Sequence, residues 1–150
     1  MNYPADLEKL INYYQKLPGI GEKSAERLAI ATLEFSEEEA EEFSEAIKSA
    51  KKNLTRCAIC GHLTDQEICN ICSDEARNKN VICVIEDYKS IFSFEKTGTF
   101  NGTYHVLDGL ISPMDDIGPE DINLSSLVSR IEKLKDPELI LALKPTVEGE

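Results

Sequence analysis

The chain has 150 residues, enough for one ordinary domain or two to three very small ones. Hydrophobic residues make up 41% of it and charged residues 29%, a globular balance that argues against disorder, collagen-like repeats and coiled coil. The net charge of −12 disfavours a protein that coats nucleic acid by global attraction, so any such contact has to be local.

No apolar run comes near the roughly 20 residues of a membrane helix; the longest are Val81–Ile85 and Leu139–Leu143. The N-terminus, Met1 to Asp6, has no basic patch followed by an apolar stretch. The expectation is a cytoplasmic protein with no membrane partner. Charge is unevenly spread. The first 30 residues balance four acids (Asp6, Glu8, Glu22, Glu26) against four bases (Lys9, Lys16, Lys23, Arg27). Seven glutamates and no base follow between Glu34 and Glu45, then a basic stretch of Lys48, Lys51, Lys52 and Arg56. From Val81 onward thirteen acids face six bases. Nucleic-acid contact is therefore expected in the first third, and the acidic remainder is expected to face proteins, metal or solvent.

In chain order, Leu7, Leu10, Ile11 and Tyr14 follow the i, i+3, i+4, i+7 spacing of one helical face. The helix stops at Leu17-Pro18-Gly19-Ile20-Gly21. Ala25, Leu28, Ala29 and Thr32 mark a second helix, and Ser36-Glu37-Glu38-Glu39 is a capping box opening a third. That third helix places Ala40, Phe43, Ile47, Ala50 and Leu54 on one side, glutamates in its first turns and lysines in its last. Its glutamate run reads most simply as a solvated face. After a cysteine-rich segment the period changes. Val81–Ile85 predicts a buried parallel strand, Tyr88–Glu95 a helix, Tyr104–Leu107 a second strand, and Leu124–Leu134 a helix with Leu124, Leu127, Val128 and Ile131 on one side. Glu138–Leu143 predicts a third strand, and this β-α-β-α-β order points to a small doubly wound, Rossmann-like sheet.

Three sets of residues carry chemistry. In the first, Gly19 and Gly21 allow a tight turn and remove side chains that would hold a ligand away, and the helix behind them starts with unpaired N–H groups suited to phosphate. Lys23 and Arg27, four apart, project from one face there. The alternative is an ordinary αα-turn with surface bases; proline, two glycines and two placed cations favour a helix-hairpin-helix gripping the DNA backbone. The second set is Cys57, Cys60, Cys69 and Cys72, two Cys-x-x-Cys pairs that can surround one tetrahedral zinc and leave no open coordination position, hence a structural site. A redox dithiol is the rival for either pair alone. His62 is expected to be a neighbour rather than a ligand, and Cys83 a plain strand residue. The third set is Glu86, directly after the first strand of the α/β part, with Glu148 and Glu150 after the third. Ligands of open parallel sheets sit at the carboxyl ends of strands, so these carboxylates could converge and could hold magnesium. No general base or nucleophile accompanies them, so binding or inert surface outweighs catalysis.

The order of these pieces resembles the RecR family of bacterial recombination mediators, over the whole chain. Its most specific stretches are Leu17–Leu28, Cys57–Cys72, Tyr104–Asp121 (YHVLDGLISPMDDIGPED) and Pro145–Glu150 (PTVEGE). The resemblance implies an α+β multi-module chain: a helix-hairpin-helix DNA-binding region over 1–55, a four-cysteine zinc finger over 56–78 and a Toprim domain, incomplete at its C-terminus, over 79–150. It implies no enzyme. The expected function is a nucleoid-associated mediator that assembles with itself, as a homodimer or tetramer, into a clamp on single- or double-stranded DNA without sequence preference. In that role it works with RecO and RecF to promote RecA loading at gapped DNA in repair. The cofactor implied is one structural zinc, with magnesium not required. Site residues carried over are Gly19, Gly21, Lys23 and Arg27 for DNA, the four cysteines for zinc, and Glu86, Glu148 and Glu150 for partner binding. Two departures stand out. Lys144 occupies a position where the family usually has Asn, and family chains continue through further Toprim strands, a Walker-B-like segment and a tail used in ring assembly, so this chain reads as C-terminally truncated. The rival is a Toprim-type magnesium-dependent nuclease or primase fragment. Such enzymes need Asp-x-Asp where this chain has Glu148-Gly149-Glu150.

Overall fold

The computed structural model describes residues 3–150; Met1 and Asn2, part of the N-terminal stretch read above, lie outside them. The chain forms two compact units, one ending at Lys52 and the other starting at Asn53.

The first unit is helical. Helix α1 (Ala5–Gln15) packs on α2 (Glu22–Leu33) through Ile11, Ala25 and Ala29, all buried, with Leu7, Leu10, Tyr14 and Ile20 packed around them. Two alanines at the centre let the helices come close. Burying Ile11 is worth roughly 1.5–3 kcal/mol, a large part of so small a core. The Tyr14 hydroxyl and Thr32 Oγ1, 2.6 Å apart, tie the far end of the pair. Leu28, expected on the packed face, is instead exposed. Helix α3 (Glu37–Asn53) begins with the capping box foreseen in the sequence: the Ser36 N–H donates to Glu39 Oε2 at 2.8 Å and the Glu39 N–H donates to Ser36 Oγ at 3.1 Å. None of its residues is buried, and its stripe of Phe43 and Ile47 faces solvent.

The second unit joins the cysteine segment to the sheet. A two-stranded antiparallel ladder, β1 (Thr55–Arg56) with β2 (Leu63–Thr64), and a short helix α4 (Asn70–Ser73) frame the four cysteines. Next come β3 (Val81–Ile85), α5 (Lys89–Glu95), β4 (Thr103–Val106), a 3₁₀ turn (Pro113–Asp115), α6 (Ser125–Ile131) and β5 (Glu138–Leu141). The sheet is parallel with order β4-β3-β5, pairing Val84 with His105 on one side and with Leu141 on the other. Central β3 is buried from Ile82 to Ile85, as its unbroken apolar run requires. One sheet face packs Ile82 and Val84 on Leu107 and Leu127. The other packs Cys83, Ile85, Tyr104 and Val106 directly on Cys57, Cys60, Cys69 and Ile71. The cysteine segment thus shares its core with the sheet. Val128, expected on the packed side of its helix, is largely exposed, and all of β5 lies on an exposed edge.

Candidate functional sites: hairpin, cysteine cluster and acidic cavity

In the hairpin, Gly19 has φ +78°, a left-handed conformation that glycine takes without cost. The Ile20 N–H closes the turn by donating to Leu17 O at 3.2 Å. Gly21 is extended, serves as the N-cap of α2, and accepts from the Ala25 N–H at 2.9 Å. A side chain added at either glycine would meet open space, so the outer surface of the turn is free for a ligand. Lys23 and Arg27 are exposed on α2, and among the described residues neither joins an ion pair. Glycine turn, helix start and two uncommitted cations lie within nine residues of each other, the arrangement expected from the sequence.

Cys57, Cys60, Cys69 and Cys72 bring their sulfurs within 4.8 Å of one another, with Cys60 and Cys69 at 3.6 Å. Zn–S bonds of about 2.3 Å in a tetrahedron separate sulfurs by about 3.8 Å, so the donor set fits zinc in number, type and spacing. Backbone donors support it: the His62 N–H reaches Cys60 Sγ at 3.4 Å and the Cys69 N–H reaches Cys57 Sγ at 3.3 Å. Hydrogen bonds from Cys60 and Cys72 hold the Cys69 thiol well below its ordinary range, favouring the thiolate a metal needs. His62 is buried beside the cluster with its ring edge-on to Phe92 at 5.0 Å, a neighbour outside the gathered donor set. Burial pushes its pKa down. Cys83 lies in the sheet core, its thiol raised by burial. Sequence reasoning missed Lys79, whose ammonium caps the carbonyls of Ile71, Cys72 (2.9 Å) and Asp74.

At the carboxyl ends of the strands a cavity of about 560 Å³ is lined by Glu86, Asp108, Lys144 and Glu148, among others. Glu86 and Glu148 thus meet in one cavity. Glu150 lines a neighbouring apolar one with Leu141, Leu143 and Val147. The four cysteines are the one set of three or more His, Cys, Asp or Glu donors close enough for a metal among the described residues. The stretch Tyr104–Asp121, unexplained by periodicity, builds the rim. Asp108 at φ +59° and Gly109 at φ +151° turn the chain sharply after β4. Ser112 bridges Ile117, and Asp116 takes a left-handed φ of +57° to close that turn. Two cations of this region have acidic partners that the sequence does not reveal, Arg56 having been read only as the end of the basic stretch from Lys48. Arg56 pairs with Asp108 while lying over the Tyr88 ring at 4.4 Å, and Lys144 pairs with Glu86. The departure at position 144 was a visible signal for the second.

These three sites coincide with known families. The RecR helix-hairpin-helix model matches residues 7–51, the RecR four-cysteine zinc finger domain residues 54–74, and the Toprim domain residues 80–150. The chain is 50% identical over 150 residues to Recombination protein RecR of Staphylococcus aureus strain MRSA252, covering 100% of this chain and 76% of that one. It is 49% identical, with the same coverage, to the proteins of that name from strains JH9 and Newman.

Proposed function

The chain belongs to the RecR family of recombination proteins, and from that membership we propose that it is a non-enzymatic mediator of recombinational DNA repair that holds the DNA backbone through its hairpin. In this reading Gly19, Gly21, Lys23 and Arg27 form the DNA contact. Copies of the chain assemble into a clamp, and RecO and RecF meet its acidic face at Glu86, Glu148 and Glu150 to promote RecA loading at gaps. The three modules divide at 1–55, 56–78 and 79–150, and the protein acts in the cytoplasm, close to the nucleoid. No described helix is long and apolar enough to cross a membrane.

The observation that carries the reading is the hairpin itself: an open glycine turn, the first N–H groups of α2, and two exposed cations without ion-pair partners among the described residues, in a protein whose net charge is −12. Phosphate is the ligand such an arrangement suits, since N–H groups and cations can share its oxygens without reading bases. Zinc, held by Cys57, Cys60, Cys69 and Cys72, supplies folding energy and no reaction step, because four thiolates leave no coordination position open. The rival, a magnesium-dependent Toprim nuclease or primase, is disfavoured because Glu86 is already paired with a cation of the chain.

The double change Lys23→Ala with Arg27→Ala removes most duplex binding in gel shifts at low salt while zinc content and helicity stay at parent levels. Parent-like binding by that variant would mean that the hairpin is not the DNA site and would move attention to Lys48–Arg56. Magnesium-dependent nicking that disappears in Glu86→Gln would establish the rival.

A further inference from the structure

The four cysteines are not equally protected. Cys57, Cys60 and Cys69 are buried, whereas Cys72 is only half-buried. The backbone donors that support the cluster serve Cys60 and Cys57. Cys72 sits instead in α4, a helix of a single turn whose last carbonyls lack helical partners. Lys79, between α4 and β3, supplies those partners. Its ammonium donates to Ile71 O at 3.4 Å, to Cys72 O at 2.9 Å and to Asp74 O. These contacts occupy all the donors an ammonium has. Other cations of this segment are taken by carboxylates: Arg77 by Glu95 and Asp74, and Arg56 by Asp108. Among the described residues Lys79 joins no ion pair. It shares with Cys72 the lining of a cavity of about 270 Å³.

A closed metal site holds only as well as its least secured ligand. The partly exposed thiolate is the one that a chelator or an alkylating agent reaches. The turn that carries it cannot hold its own shape, because a single helical turn fixes several dihedrals for very few hydrogen bonds. We propose that Lys79 is the latch of the zinc site: by gathering three carbonyls around Cys72 it fixes the accessible ligand and sets how firmly the chain keeps its zinc. Its bonds run to the backbone and not to sulfur. Lys79 is therefore a positioning residue, acting as partners outside a donor set do when they orient the ligands within it. The same geometry makes Cys72 the ligand that detaches first. This role needs zinc to be structural and does not depend on where DNA binds.

The test follows zinc transfer from the zinc-loaded full chain to the chromogenic chelator pyridylazoresorcinol, with iodoacetamide labelling read by peptide mass spectrometry in parallel. Lys79→Met should release zinc about ten-fold faster than the parent. Lys79→Gln, which keeps an amide donor, should fall between the two. Lys89→Met removes the same charge from an exposed lysine and should stay at the parent rate. In parent and variants alike, Cys72 should be the first of the four cysteines labelled. A parent rate in Lys79→Met, or an equal acceleration in Lys89→Met, overturns the proposal. So does simultaneous labelling of all four cysteines in Lys79→Met, which marks loosening of the whole unit. First labelling at another cysteine in the parent overturns it too, and that measurement decides even where Lys79→Met fails to fold.

Discussion

Two glycines of the hairpin look alike in sequence and differ in what they require. Gly19 sits at φ +78°, so any side chain there pays the left-handed penalty, whereas extended Gly21 is an N-cap where serine is favoured. Gly19→Ala should cost about 1 kcal/mol of helical-unit stability, and Gly21→Ser should be neutral or stabilising by a few tenths, as measured by urea titration followed by far-ultraviolet circular dichroism. In the second unit, Glu95 accepts two hydrogen bonds from Arg77, at 3.0 and 2.5 Å, and one from the Tyr104 hydroxyl at 2.7 Å. The Arg77 guanidinium, ahead of Tyr104, holds the Glu95 carboxyl below the ordinary glutamate range. A carboxylate depressed in the folded state stabilises at pH above its unfolded value, and that contribution disappears as pH falls through its folded value. Glu95→Gln should therefore cost about 2 kcal/mol at neutral pH. The gap between parent and variant in urea midpoint should close as pH drops below roughly 4.3. A gap that stays constant down to pH about 3 would remove the linkage.

Among the elements, the zinc segment and the sheet are the pair whose relation matters most. The Val106 N–H donates to Cys60 O at 2.8 Å, and Gly61, at φ +77°, leaves only 3.2 Å between where its Cβ would be and the Val106 Cβ. Cysteine knuckle and strand end are thus one packed structure, and a side chain at 61 would separate them. Zinc binding free energy becomes folding free energy of this shared core. Chelating the zinc, or introducing Cys60→Ser, should speed amide exchange at Val106 and along β4, and leave α2 of the first unit at parent rates. Unchanged protection of Val106 in zinc-free protein would show that the knuckle folds apart from the sheet. Helix α3 makes the opposite case: its capping box forms as written, yet its apolar stripe is uncovered. Local hydrogen bonding starts a helix, but only a partner surface can bury a stripe.

For the molecule as a whole, the charge balance limits how DNA can be held. On the proposed reading, −12 overall and two cations per hairpin without an ion pair among the described residues mean that affinity comes from several hairpins on one duplex through effective concentration. The logarithm of affinity should fall with the logarithm of salt with a slope of about −2 per engaged chain, since each phosphate contact contributes roughly −0.9. Solution mass measured with and without duplex gives the number of engaged chains, and a salt-independent affinity would exclude a phosphate-based contact. Zinc removal tests the division into two units: it should unfold residues 53–150 while the cluster of Ile11, Ala25 and Ala29 persists, because each unit has its own core.

The sequence by itself determined whatever is local or periodic. The hairpin with its glycines, the capping box at Ser36, the four sulfur donors and the buried strand Val81–Ile85 all follow from spacing, because short-range backbone geometry and side-chain period decide them. It also carried the parallel sheet, since alternating strands and helices admit few other arrangements. Contacts between segments far apart in the chain were decided only by the tertiary structure. Arg56 finds Asp108 across 52 positions, Lys144 finds Glu86, and Arg77 and Tyr104 both find Glu95, none of them at a helical or strand spacing. The same holds for the exposure of Leu28 and Val128 on faces that periodicity assigned to packing. A period tells which residues share a face, but what lies opposite that face depends on how the elements dock, and a cation's partner depends on which strand end folds beneath it.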